Sequence, residues 1–95
     1  MAVIGSVSVG ASSQATVLSR PVVGGYQFIA IGNVGESTAY LKFFPDGDDV
    51  TTTNGIPLAP GASILLDQDD SPIMNNGIYA ICASGASTVL GVQAY

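Results

Sequence analysis

Residues 77–95, GIYAICASGASTVLGVQAY, contain two apolar runs separated by the small residues 84–87. Successive strand side chains point to opposite faces, so the polar Gln93 marks an outer face that it shares with Val89 and Tyr95. Leu90 and Val92 then point inward. The break at 84–87, with Gly85 inside it, reads as a tight hairpin loop joining the last two strands. Alternation with a period of two and short Gly- or Ser-containing breaks is a β pattern.

The same wording runs through the whole chain. Stretches rich in Val, Ile, Tyr, Phe and Thr predict strands at residues 3–9, 15–18, 26–31, 39–44, 63–66, 78–83 and 88–95, and no stretch keeps a helical period for three turns. Gly24-Gly25, Asn33 to Glu36, Pro45 to Gly47 and Asn75 to Gly77 have the residues that chain reversal needs. About seven short strands at this spacing predict one all-β domain over 1–95, a small antiparallel β-sandwich of jelly-roll type, with a small barrel as the alternative. Residues 1–25 read as an extended docking arm or an edge strand. In AYLKFF, Lys42 sets the outer face, which it shares with Tyr40 and Phe44, and Leu41 and Phe43 face the core. An outer face with two aromatics beside one charge is either covered by the same domain or is a contact surface.

Composition restricts function. Of 95 residues, 47% are hydrophobic and 9% charged, well below the usual charged share of about 25%. A small domain cannot hide so much apolar surface in one core, which points to an oligomer or an assembly-bound subunit. Arg20 and Lys42 stand against seven acids, giving a net charge of −5. Two cations are too few to neutralise a nucleic-acid backbone or to hold an anionic membrane, and no apolar run is long enough for a membrane-spanning helix. MAVIGSVSVGASSQA alternates and has no early positive charge, so it reads as a first strand in preference to a secretion signal. Cys82 is alone, which excludes an internal disulfide and suits a reducing cytosol.

The same inventory argues against catalysis. Without histidine the commonest general base and metal ligand are missing, and a serine nucleophile would have Lys42 as its only lysine partner. A carboxylate pair for glycoside hydrolysis lacks a tryptophan-lined sugar cleft. The expectation is therefore no enzyme and no cofactor. The acidic clusters Asp46, Asp48, Asp49 and Asp67, Asp69, Asp70 offer hard oxygen ligands and are weak calcium candidates, without EF-hand spacing.

In GIPLAPGAS, Pro57 and Pro60 fix φ and bias Ile56 and Ala59 towards extended backbone. Pro60-Gly61 suits the central positions of a type II turn leading into the strand at Ser63. The segment reads as a stiff ramp holding Ile56 and Leu58 outward, or as a connection closing one end of the sandwich. With Tyr40, Phe44 and Tyr95, the residues Ile56, Pro57, Leu58 and Pro60 form the candidate set for subunit or capsid contact.

The order YQFIAIGNVGESTAYLKF, then VTTTNGIPLAPGASILLDQ, then GIYAICASGASTVLGVQAY resembles the small capsid decoration (cement) proteins of tailed phages, over residues 26–95. That resemblance implies a β-sandwich virion protein without enzymatic activity. It would be made in the host bacterial cytoplasm, form a homotrimer, bind the major capsid protein on the outer capsid surface and stabilise contacts between capsid subunits. The first 25 residues lie outside the resemblance, which leaves the docking surface open. The alternative is a host-glycan or receptor-binding module of a phage fibre or head surface, with Tyr26, Tyr40 and Tyr95 as stacking platforms.

Overall fold

The computed structural model describes residues 3–19, 26–43, 49–67 and 77–95. They form eight strands: β1 (Val3–Val9), β2 (Ala15–Leu18), β3 (Phe28–Asn33), β4 (Ala39–Lys42), β5 (Ile56–Leu58), β6 (Ser63–Asp67), β7 (Ile78–Cys82) and β8 (Thr88–Ala94). Two antiparallel four-stranded sheets result, in the orders β1-β8-β3-β6 and β2-β7-β4-β5. The pairs β1–β8, β2–β7, β3–β6 and β4–β5 are nested, as in one long hairpin, and the contacts β8–β3 and β7–β4 roll that hairpin into two layers. This is the strand order of a jelly-roll sandwich.

Two expectations are corrected here. β7 and β8 belong to different sheets, so residues 84–87 are a corner between layers and not a hairpin loop. The turn itself is tight: the Ala86 N–H donates to the Ala83 carbonyl at 2.9 Å, and Gly85 takes φ +80°. The eighth strand, β5, is the proline ramp, which pairs with β4 through Ala39–Leu58, Tyr40–Pro57 and Leu41–Ile56. Proline is tolerated there because β5 is an edge strand, where a missing N–H need not break a ladder. The type II turn does form: Ala62 N–H donates to the Ala59 carbonyl at 2.9 Å, with Gly61 at φ +82°.

Alternation places the core. Ile29 and Ile31 from β3, Leu90 and Val92 from β8, Leu41 from β4, Ile78 and Ala80 from β7 and Leu58 from β5 all face the space between the layers. A register shift between Thr16 and Leu18 lets the consecutive residues Val17 and Leu18 both turn inward. Leu58 is thus 3% exposed and belongs to the core, a correction to its reading as an outward contact, whereas Ile56 is 52% exposed. Leu58→Ala is expected to cost about 3 kcal/mol, typical of a buried leucine, and Ile56→Ala less than about 1 kcal/mol. Urea denaturation of the two variants checks this, and equal losses would contradict the assignment.

Two polar side chains, Asn33 and Thr88, sit among these apolar ones. Asn33, at the end of β3, is 2% exposed. Its Nδ2 donates to the carbonyl oxygens of Leu58 and Ser37, both at 2.8 Å, and its Oδ1 accepts from the Thr88 hydroxyl at 2.6 Å and the Gly35 N–H at 3.1 Å. Its backbone N–H donates to Ala62 and its carbonyl accepts from Gly61. Every polar atom of Asn33 has a partner, and the bond to Leu58 crosses from one sheet to the other. The amide is a clasp at one end of the sandwich.

Candidate interaction surface

The inward residues having been assigned, the outer faces follow from the registers. On the first sheet Ser6, Gly91, Gly32 and Ser63 are successive cross-strand partners, so one row across all four strands carries only small side chains. The neighbouring row is Ile4, Gln93, Ala30 and Leu65. Ile4 is 77% and Leu65 67% exposed, and they stand at the two ends of that row. The small row beside them leaves a shallow groove of about 580 Å³. Asp67, at the end of β6, is the only charged residue within the strands of this sheet. Such a face has little to bond a small polar ligand and much that can pack against another protein surface.

The outer face of the second sheet differs. Ile81, Tyr40 and Pro57 are cross-strand partners there, as are Thr16, Tyr79 and Lys42. Tyr40, Tyr79 and Ile81 are each half-buried.

The residues singled out from the sequence do not gather in one place. Tyr40 and Pro57 lie side by side on the second sheet, with Ile56 one position along the same edge strand and Pro60 in the exposed turn beyond it. Tyr95 continues the first sheet's outer face, where its ring stacks on Phe28 at 5.7 Å and 25°. Tyr26 is 8% exposed and its hydroxyl donates to the Ser19 carbonyl, so it offers no ring to a sugar. With Tyr26 inside and Tyr40 and Tyr95 on different sheets, the three tyrosines form no common platform. Phe44, Asp46, Asp48, Asp69 and Asp70 lie outside the described residues, which leaves Asp49 and Asp67 of the two acidic clusters. Among the described residues no group of three or more acids or Cys side chains converges on a possible metal position.

Ile4, Leu65 and the row of small residues were not singled out from the sequence. The signal for Leu65 was present in SILLD, where alternation must put one of three consecutive apolar residues outside. The row was not detectable, because its members meet only through pairing of strands distant in the chain.

Cys82 is buried, and its thiol donates to the Val9 carbonyl at 3.6 Å. Burial away from water pushes its pKa up, so at neutral pH it stays a thiol and is a poor nucleophile. Compared with known proteins, the chain matches no family model, no curated protein and no solved structure.

Proposed function

We propose that this protein is a virion structural protein of the capsid decoration kind. It binds the outer surface of a phage head, holds neighbouring major capsid protein subunits together and catalyses nothing. The observation that carries the reading is the outer face of the first sheet, on which Ile4 and Leu65 project beside a row of small residues and Asp67 is the only charge within the strands. A −5 chain that presents this side offers one carboxylate within its strands, that of Asp67 beside Leu65, and docks mainly by apolar burial. The jelly-roll frame suits the role, because the rolled sheets hold that face rigid and little order has to be gained on docking. Weak contacts repeated over neighbouring capsid subunits add through effective concentration.

Heads that lack the protein are expected to assemble and then to rupture at lower temperature or weaker osmotic shock than decorated heads. Equal robustness with and without the protein would remove the stabilising role.

A further inference from the structure

Three of the four sheet edges carry a feature that hinders addition of another strand. β5 has three residues with Pro57 in the middle, which lacks an N–H to donate. β2 has four residues and a register shift between Thr16 and Leu18. β6 has five and ends in the carboxylate of Asp67. These are devices by which sheet proteins block their edges.

β1 has none of them. It is seven residues long, VIGSVSV, without charge or proline, and pairs with β8 in unbroken register. Among the described residues β8 is the only strand paired with it, and along residues 4–8 no described residue bonds the other side of its backbone. A long, flat, uncharged edge is a template for another strand.

We propose that the β1 edge pairs with β1 of a second copy of this chain, antiparallel about a two-fold axis at Ser6, joining two four-stranded sheets into one of eight. Ser6 is the middle residue of β1, so this register centres the pair on residues 4–8; Val9, 1% exposed and with its carbonyl bonded by the Cys82 thiol, lies outside it. It also keeps inner faces with inner faces, which a one-residue slip would reverse. Gly5 of one copy comes opposite Val7 of the other, and around Gly5 nothing lies within 4 Å of where a Cβ would be. The partner's valine enters open space. Charge favours the same edge: two −5 chains repel, and β1 and its neighbour β8 carry no charged residue. An antiparallel self-pair is isologous and closes with two copies, so the assembly is two-fold and not the three-fold one that the resemblance implies.

The contact is small. Five residues at about 3.4 Å each make a contact about 17 Å long on one edge of one sheet, well short of a standard stable interface of about 800 Å² per partner. A contact that small makes a weak, concentration-dependent dimer. It rests on the edge alone and not on head binding, so its test needs no heads and the two readings fail separately.

Sedimentation equilibrium of the purified full chain should show mass rising from 9.6 kDa towards twice that value with concentration. Amide exchange at residues 4–8 should slow in step. Ser6→Lys places two like charges directly opposite across the axis and should weaken the dimer at least fivefold. Ser8→Lys, at an exposed position opposite the partner's Ile4, adds the kind of edge lysine by which sheet proteins block strand addition and should do the same. Circular dichroism of both variants checks that the monomer is folded; if Ser6→Lys unfolds it, Ser8→Lys alone decides. A monomer at all concentrations, a trimer, or a dimer insensitive to the folded variants would each overturn the proposal.

Discussion

Asn33→Ala is expected to lower the unfolding free energy by about 4 kcal/mol. The substitution removes a side chain that is 2% exposed and that satisfies four partners: the carbonyls of Leu58 and Ser37, the Thr88 hydroxyl and the Gly35 N–H. Each buried group left without a partner costs about 1–3 kcal/mol, and the amide leaves a cavity as well. Some of that is recovered where water reaches the part-buried bonds to Ser37 and Gly35. A 95-residue domain has a total stability of roughly 5–14 kcal/mol, so one amide accounts for a large part of it. At about 4–8 °C per kcal/mol, the melting temperature should fall by roughly 20 °C. Asn33→Asp keeps the shape and replaces both N–H donors with an oxygen facing two carbonyls, so it should be no milder. A loss below about 1 kcal/mol for either variant would show that the clasp contributes little.

Gly35→Ala is the second large effect, and its cause is steric. A Cβ on Gly35 would lie 2.7 Å from the Val89 backbone nitrogen and 2.9 Å from the Thr88 Cα, and it would overlap the Thr88 hydroxyl. The first two are backbone atoms of β8, which cannot swing aside as a flexible side chain can. Gly35 N–H must also stay within reach of Asn33 Oδ1, so moving the loop outward breaks the clasp. The expected loss is about 3 kcal/mol, at the upper end of ordinary overpacking. Thr88→Ala should not rescue it, because the backbone contacts remain. Gly10→Ala supplies the contrast: nothing lies within 4 Å of its Cβ position, and the change should cost less than about 1 kcal/mol. Chemical denaturation of the single and double variants separates these cases, and a harmless Gly35→Ala would contradict the packing described.

Asn33 and Gly35 also show where sequence reading stops. As part of IGNVGES they read as turn residues, and the local bond from the Gly35 N–H to Asn33 Oδ1 is the kind that reading anticipates. The bonds that bury Asn33 reach 25 and 55 residues along the chain, to Leu58 and Thr88, and no local pattern reports them. Strand faces were legible for the opposite reason. A single polar residue in an apolar strand fixes the parity of its neighbours, and Lys42 and Gln93 correctly placed Leu41, Leu90 and Val92 inside. Residues 84–87 misled because a tight turn has the same residues whether its flanking strands pair or part into different sheets. Ile56–Leu58 was missed because a three-residue edge strand with a central proline has neither the length nor the donors that mark a strand. Of the candidate contact residues, Leu58 went inside, and Ile4 and Leu65 emerged only once the registers showed which face each strand turns outward.

The proposed docking face is tested most directly by co-sedimentation of the full chain with purified undecorated heads, comparing the natural protein with Leu65→Asp. Leu65 is 67% exposed, so the substitution should leave the melting temperature within a few degrees of the original. Binding of the natural chain and at least a tenfold loss for the folded variant is the predicted result, since the change puts a charge on the apolar contact. Failure of the natural chain to sediment with the heads, or equal binding of the two, would contradict docking through the first sheet.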